Sequence, residues 1–266
     1  LEGRGSVELV QRCQTNDFSK CGEGEMKYTH ILNPKGYIKD DTIGGRFPEG
    51  RFLFVPNAAT KDMVLDWLQC IIRDEGYEVT VRDATHELSC IAVQGPKAVE
   101  LVAEVLGEEM RDVGFFHFVD TEHKEFGRII VSATGYTGES GFEIIVQNRH
   151  AQALWNALLS KGEDMGVRPC GLGARDTLRM EKGFLLSGQD FNEHGEEHTP
   201  IETGHKWLVK MNHEFIGHDI IARQIEEGPK VRFVGMVMAE RGVPRHGFTI
   251  HVSDGREIGH VTSGTM

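Results

Sequence analysis

The sequence has 266 residues, of which 39% are hydrophobic and 8% aromatic, and its formal net charge is −12 at pH 7. This composition is typical of a globular chain with one large domain or two to three small ones, and it excludes a disordered chain. The acidity argues against binding to nucleic acid or to an anionic membrane surface, because no run of lysines and arginines offsets the charge.

The cysteines and the chain ends give limited information. The five cysteines are scattered, without a Cys-x-x-Cys pair or metal-ligand spacing, which favours reduced thiols in a reducing compartment. No apolar run approaches the roughly 20 residues that a membrane helix needs. The sequence starts at Leu1 and stops at Met266 inside a predicted strand and turn, so we expect a chain clipped at both ends.

Strands and helices alternate along the first 182 residues. Ser6 caps a short predicted helix, and residues 26–43 are predicted to form a hairpin around the Asn-Pro-Lys-Gly turn at 33–36. The spacing of apolar residues predicts the elements that follow. In chain order they are a strand at 52–55, a helix from 60, a strand at 88–94, a helix from 96 to about 106, strands at 128–133 and 142–146, and helices at 151–159 and 173–182.

The pattern of predicted elements changes at about residue 230. Short strands are predicted at 233–238, 248–252 and 257–261, joined by turns rich in glycine, proline and aspartate, with no helix between them. This shift indicates a separate β-rich module, of which only the beginning is present.

Asp40 and Asp41 end a predicted strand that is otherwise half buried. Adjacent residues on a strand point to opposite faces, so we expect at most one of them to face a pocket easily. A carboxylate there could hold a protonated nitrogen, or one on which positive charge develops. On composition alone, a solvated turn at the strand end is the favoured alternative.

Residues 134–141 place three glycines between two strands and present Tyr136 from a tight turn. Glycines allow the backbone to approach a ligand closely, although a simple hairpin turn explains them equally well. Glu143 follows on the next strand, where a carboxylate could accept two hydrogen bonds from an amino-pyrimidine edge. Taken alone, such a glutamate is more often a surface residue.

Arg175, Arg179 and Lys182 recur at helical spacing and form one basic stripe. In so acidic a chain the stripe suits an anionic ligand tail, but salt bridges with Asp176 and Glu181 are the favoured alternative.

His194 and His198 have the spacing of a metal-binding pair on a helix. Gly195 between them and the neighbouring charges indicate a loop instead. Because no third ligand stands at a standard distance, we predict no metal site.

Six segments, taken together and in order, resemble the signature segments of the glycine cleavage T-protein (aminomethyltransferase) family. The resemblance covers essentially the whole chain. The segments are NPKGYIKDD (33–41), IAVQGP (91–96), TGYTGESGFEI (134–144), GLGARDTLRME (171–181), TPIE (199–202) and IGHVTSG (258–264).

The resemblance implies an α+β, multi-domain, folate-binding aminomethyltransferase fold. Residues 1–225 would form the folate-binding region, with two interleaved α+β subdomains, and residues 230–266 the start of a C-terminal β-barrel-like module. It also implies transfer of a methylene unit from an aminomethyl group on a lipoylated carrier (H-) protein to tetrahydrofolate, with release of ammonia. The implied compartment is the cytoplasm, or the mitochondrial matrix in a eukaryote.

The same resemblance assigns roles to individual residues. Asp40 matches the catalytic aspartate of the family. The implied contacts of tetrahydrofolate, here a co-substrate, are Glu143, Arg175 and Tyr136, with Tyr28 and Asn57 as further candidates.

Three other functions remain open at this point. A folate-dependent demethylase of a small methylated substrate would use the same pocket. A folate-binding factor for iron–sulfur assembly would carry a cysteine in the segment at 182–190, where this sequence has Phe184 and Leu185 instead. An inactive fragment is the third alternative.

Overall fold

The computed structural model describes residues 1–192 and 195–265. Its helices are α1 (Ser6–Cys13), α2 (Lys61–Glu75), α3 (Ala98–Leu106), α4 (Asn148–Lys161), α5 (Leu172–Glu181) and α6 (His218–Glu227). Its strands are β1 (Glu2–Gly3), β2 (Met26–Leu32), β3 (Ile38–Arg46), β4 (Phe52–Pro56), β5 (Val79–Thr80), β6 (Leu88–Gln94), β7 (Phe118–His123), β8 (Gly127–Ser132), β9 (Gly141–Gln147), β10 (Thr249–His251) and β11 (Glu257–His260).

A three-stranded antiparallel sheet, β2-β3-β4, forms the first structural layer. The register of β2 against β3 shifts between Ile31 and Leu32, close to the Asp40–Asp41 pair on β3. Apolar faces of α1 and α2 pack on this sheet, as their helical spacing requires. The buried residues of this cluster are Leu9, Cys13, Ile31, Val64, Leu68, Ile71 and Ile216.

A second antiparallel sheet has the strand order β6-β9-β8-β7. The helices α3 and α4 cover one face, and their apolar residues join those of the strands in the largest buried cluster, which includes Leu101, Ile129, Ile144 and Leu154. The loop between β8 and β9 carries Tyr136, and β9 carries Glu143.

The two sheets meet at a small aromatic contact. The rings of Phe47 and Phe118 lie 4.5 Å apart between centroids, and Met26 is buried with them. Backbone hydrogen bonds reinforce the junction, from Met26 N to Phe116 O (2.8 Å) and from Phe118 N to Gly24 O (2.8 Å). This junction sets where the β8–β9 loop lies relative to β3.

Part of the last third of the chain packs against the β2–β3 hairpin. Ile221 of α6 is fully buried with Leu32 and Ile38 of the hairpin and with Phe191 and Phe215. The strands β10 and β11 form a separate two-stranded hairpin.

The predicted α+β class is confirmed, and most predicted elements lie within a few residues of their observed positions. The strand β7, the helix α6 and the short β1–β5 pair were not predicted. The strand predicted at 233–238 is wrong: this segment forms no regular secondary structure, and Val237 is 97% exposed. A strand is stable only when another strand satisfies its backbone groups.

Candidate functional site

Asp40 and Asp41 are both buried, with relative exposures of 0% and 9%. Asn57, which follows β4, donates from its side-chain amide to Asp40 Oδ1 (2.9 Å) and to Asp41 Oδ1 (2.8 Å). The backbone N–H of Asn57 donates to Asp40 Oδ2 (3.1 Å). The alternative of a solvated turn at Asp40–Asp41 is therefore wrong, and one asparagine orients both carboxylates.

Burial changes the acidity of this carboxylate pair. Desolvation raises the pKa of Asp40, while hydrogen bonds from Asn57, Ser187 and Thr60 oppose the rise. Desolvation, followed by repulsion from Asp40, raises the pKa of Asp41 to about 6. Two adjacent carboxylates in a site of low dielectric resist carrying two full negative charges, so they attract a proton or another cation.

Tyr28, on the neighbouring strand β2, binds the carboxylate pair. Its hydroxyl donates to Asp41 Oδ2 (2.8 Å). His30, two residues further along β2, is paired with Asp41 across the ladder and is fully buried. The rings of Tyr28, His30 and His205 lie 5.1–6.2 Å apart between centroids. Tyr28 is thereby fixed against Asp41 by aromatic packing as well as by its hydrogen bond.

Tyr136 and Arg175 form the second part of the candidate site. The guanidinium carbon of Arg175 lies 4.2 Å from the centroid of the Tyr136 ring, within the range of a cation–π contact. Phe184 stacks near the same tyrosine ring at 5.7 Å, and the Tyr136 hydroxyl donates to Leu185 O. Desolvation raises the pKa of Tyr136, so it stays a neutral donor.

Glu143 on β9 is the third part of the candidate site. One of its carboxylate oxygens accepts a hydrogen bond from Thr134 Oγ1 (2.6 Å). Desolvation, with a smaller contribution from Glu143, raises the pKa of the Cys90 thiol to about 12, and Arg175 opposes the rise. Glu143 and Arg175 thus both interact electrostatically with Cys90. Glu143 is half buried and Arg175 is exposed, so both can reach a ligand.

The segment 184–190 links the two parts of the site and was missed as a functional element. Its Leu185 carbonyl accepts from Tyr136, and its Ser187 hydrogen-bonds the side chain of Asp40. Electrostatic interactions of Tyr136 with Tyr28 and Asp41 also connect the two parts. The sequence signals only the absence of a cysteine in this segment, although the segment directly follows the helix that carries Arg175.

The predicted basic stripe of α5 divides in the structure. Arg175 is exposed beside Tyr136, whereas Arg179 is 1% exposed and bonded to Asp176 and Asp190. For Arg179, the salt-bridge alternative is therefore correct. The exposed Lys182 side chain lies over Gly138 of the β8–β9 loop.

Of the histidine pair considered for a metal, His194 lies outside the described residues. His198 is in contact with Glu196 and Glu202. Within 1–192 and 195–265, no group of three or more histidine, cysteine, aspartate or glutamate side chains is placed to hold a metal ion. In the same ranges, no helix is both long and apolar enough to cross a membrane.

Comparisons with known proteins agree on one family. The model of the GCVT N-terminal domain matches residues 1–213. The aminomethyltransferase of Thermoanaerobacter pseudethanolicus is 39% identical over 266 residues, which cover 99% of this chain and 70% of that protein. A probable aminomethyltransferase of Haloarcula marismortui is 41% identical over 271 residues, covering 100% of this chain and 72% of the relative.

A solved structure shows the same fold. The glycine cleavage system aminomethyltransferase T from Bartonella henselae superposes with a TM-score of 0.87 at 30% identity, covering 99% of this chain and 70% of that chain. The family model, the relatives and the solved structure thus indicate the same family. The chain belongs to the GCVT family of aminomethyltransferases.

Proposed function

We propose that this protein transfers a methylene unit from an aminomethyl group, carried on the lipoyl arm of a carrier (H-) protein, to tetrahydrofolate, with release of ammonia. The observation that carries this proposal is the buried Asp40–Asp41 pair, which Asn57 and Tyr28 hold beside the Tyr136–Arg175 contact. Two desolvated carboxylates next to an aromatic and cationic surface suit the transfer of an amine-bearing carbon, on which positive charge develops.

The side chains of the candidate site fit tetrahydrofolate. A pterin offers an amino-pyrimidine edge that needs an acceptor, and the half-buried carboxylate of Glu143 can supply it. Its ring system needs aromatic neighbours, and Tyr136 and Phe184 provide two stacked rings there. The glutamate tail of folate is anionic, and Arg175 is an exposed cation in a chain of net charge −12. When bound, tetrahydrofolate supplies the nitrogens that take up the one-carbon unit.

The carboxylate pair stabilises positive charge. The carbon–nitrogen and carbon–sulfur bonds of the aminomethyl group break, and two bonds from its carbon to folate nitrogens form. The two folate N–H protons leave with ammonia and with the lipoyl thiol. Cationic character develops on the carbon that is transferred. A carboxylate already oriented in a site of low dielectric stabilises that charge without reorganisation. Asn57 keeps Asp40 in place through its backbone and side-chain donors, so Asp40 is the residue that we assign to catalysis.

Orientation supplies a second contribution. Tyr28 and Asn57 fix the two carboxylates, and Tyr136 is fixed by Phe184 and the carbonyl of Leu185. Reactants held in a productive geometry avoid part of the entropy cost of a bimolecular step. The site therefore presents its charged and aromatic groups already oriented.

Replacement of Asp40 tests the proposal. With lipoylated carrier protein, aminomethyl donor and tetrahydrofolate, we expect Asp40→Asn to fold normally and to lose about 10²–10³-fold in turnover, measured as ammonia and methylene-tetrahydrofolate. The control is Asp120→Asn on β7, which removes a carboxylate bonded to Arg128 of β8.

Three results would contradict the assignment. Equal turnover of Asp40→Asn and the unchanged protein would remove Asp40 from catalysis. Formation of methyl-tetrahydrofolate or of a demethylated acid from a methylated donor would identify a demethylase. Folate binding without turnover of any one-carbon donor would favour a binding factor.

A further inference from the structure

The helix α5 carries Arg175 to the candidate site, yet little apolar surface holds it in place. Of its ten residues, Arg179 is the buried one. Leu172 and Leu178, which could form an apolar stripe, are 84% and 37% exposed. A helix on a globular protein ordinarily docks through such a stripe. The attachment of α5 therefore depends on a buried guanidinium group.

The guanidinium group of Arg179 bonds to four acceptors. Its Nε donates to Asp176 Oδ1 (2.8 Å), and its Nη1 donates to Asp190 Oδ2 (2.7 Å) and to Phe184 O (3.0 Å). Its Nη2 donates to Ser263 Oγ (2.8 Å). Hydrogen bonds to four acceptors fix the planar guanidinium group in one orientation. The ammonium group of a lysine could not reproduce this arrangement.

Asp190 extends this network to the end of the described chain. Its Oδ1 accepts from Thr262 Oγ1 and from Ser263 Oγ, both at 2.6 Å. Its Oδ2 accepts from Leu186 N (2.8 Å) as well as from Arg179. Arg179, Asp190, Thr262 and Ser263, here called the clasp, thus join α5, the segment 184–190 and the segment that follows β11.

The partners of the Tyr136–Arg175 contact lie on segments that the clasp holds. Arg175 is one helical turn before Arg179. Phe184, which stacks on Tyr136, gives its carbonyl to Arg179, and Leu185 gives its carbonyl to Tyr136. A loosened clasp would free both sides of the contact at once.

We propose that Arg179 is a positioning residue, which through the clasp sets the Tyr136–Arg175 contact that receives tetrahydrofolate. The proposal rests on the proposed function for the identity of the ligand. It assigns Arg179 no contact with the ligand, because the side chain is 1% exposed and its donors are engaged within the protein.

Removal of Arg179 altogether would leave Asp190 buried without its partner, and such a change often prevents folding. Two milder variants avoid this difficulty. Ser263→Ala removes one acceptor of Arg179 and one donor to Asp190 but keeps the ion pair. Arg179→Lys keeps the positive charge but loses the planar guanidinium group with its set of hydrogen bonds. The matched control is Ser19→Ala, which removes a similar serine–aspartate bond (Ser19 Oγ to Asp17 Oδ1, 2.5 Å) elsewhere in the protein.

The first measurement is calorimetric titration with tetrahydrofolate. We expect Ser263→Ala and Arg179→Lys to weaken binding about 5–10-fold, as Arg175→Ala does, and Ser19→Ala to leave it unchanged. The double variant Arg175→Ala/Ser263→Ala should bind no more weakly than Arg175→Ala alone. Losses that multiply in the double variant would overturn the proposal, because the clasp would then act on something other than the Tyr136–Arg175 contact, which Arg175→Ala already removes.

The second measurement needs no ligand. A guanidinium side chain stacked on a tyrosine has its proton resonances shifted upfield by the ring, so NMR detects the Tyr136–Arg175 contact directly. We expect the shift of the Arg175 side-chain protons to be reduced in Ser263→Ala and retained in Ser19→Ala. A fully retained shift in Ser263→Ala would overturn the positioning role. A lost shift in a protein that does not bind tetrahydrofolate would instead overturn the proposed function.

Discussion

Asp40 and Asp41 are an unfavourable pair to bury, and their surroundings show how the chain tolerates them. Desolvating a carboxylate costs several kcal/mol unless hydrogen bonds or a proton compensate it. Asn57 donates to both side chains and Tyr28 donates to Asp41, while the pKa of Asp41 rises to about 6. The pair is thus held ready to attract a cation, and this property suits the proposed reaction better than it suits stability.

Glu143 gives the sharpest prediction about ligand recognition. If its carboxylate accepts from the pterin edge, Glu143→Ala should weaken tetrahydrofolate binding by about 1–3 kcal/mol, since bound donors would lose a charged partner. Calorimetric titration measures the change. Glu139→Ala, at an exposed position of the same loop, is the control. Unchanged affinity in Glu143→Ala would show that the pterin lies elsewhere.

His205 gives a prediction about pH. Burial lowers the pKa of His205 to about 4, from 6.5 for the free side chain. The unfolded chain therefore takes up a proton that the folded chain refuses, and stability is lost as the pH falls from 6.5 toward 4. Buried His30 acts in the same direction, whereas Asp41, with its raised pKa, acts in the opposite one.

The variant His205→Leu isolates this contribution because it keeps a similar volume without a titrating group. We expect it to lose less stability than the unchanged protein between about pH 7 and about pH 5. Urea unfolding at the two pH values gives the difference. An equal loss in both proteins would show that His205 takes up its proton while folded.

For individual residues, the sequence is informative where the residue belongs to a signature segment. It gives no indication where burial decides the role of the residue. Asp40, Tyr136, Glu143 and Arg175 were predicted as site residues from the segments that contain them. His30 and His205 were not, because a histidine in a sequence carries no sign that its ring will be desolvated. The roles of the candidate residues remain predictions that the variants above test.

Among the elements, β3 shows why a strand that looks weak in the sequence can be well defined. It contains Gly44, and glycine ordinarily weakens a strand. Phe54 is paired with Gly44 across the ladder, and a Cβ at Gly44 would stand 2.2 Å from its ring. The ring thus occupies the space that a side chain would fill, and it reaches Phe18, 5.5 Å away between centroids.

Gly44→Ala should therefore displace Phe54 and lower the free energy of unfolding by about 1–3 kcal/mol, as overpacking of a filled site does. Gly259→Ala in β11 is the matched control, because a Cβ there meets no atom within 4 Å. Chemical denaturation of both variants measures the difference. Equal stability would mean that the Phe54 ring moves aside without cost.

The elements that sequence analysis missed or misplaced share a cause. The strand β7 has exposed polar residues over most of its length and is recognised only through its pairing with β8. The segment 233–238 has apolar residues suited to a strand, but in the described chain it gains no ladder. The pattern of apolar residues indicates which segments could form a strand. Whether a segment does so depends on a hydrogen-bonded partner strand, which is often distant in sequence.

In the whole molecule, the candidate site draws on three distant regions: β3 with its neighbours, the β8–β9 loop, and α5 with the segment 184–190. The Met26–Phe47–Phe118 junction sets the first two against each other, and the clasp holds the third. Neither could be predicted from the sequence, because each depends on contacts between residues far apart in the chain. A ligand that touches all three regions would act as a further connection between them.

Tetrahydrofolate should consequently stabilise the whole fold. A ligand that binds only the native state, at 100 times its dissociation constant, adds about 2.7 kcal/mol to the free energy of unfolding. For a chain of this length that corresponds to a rise in Tm on the order of 5–10 °C. Differential scanning calorimetry with and without the ligand measures the rise, and Glu143→Ala at the same ligand concentration should show a smaller one. If saturating tetrahydrofolate leaves Tm unchanged, the three regions do not form a folate site.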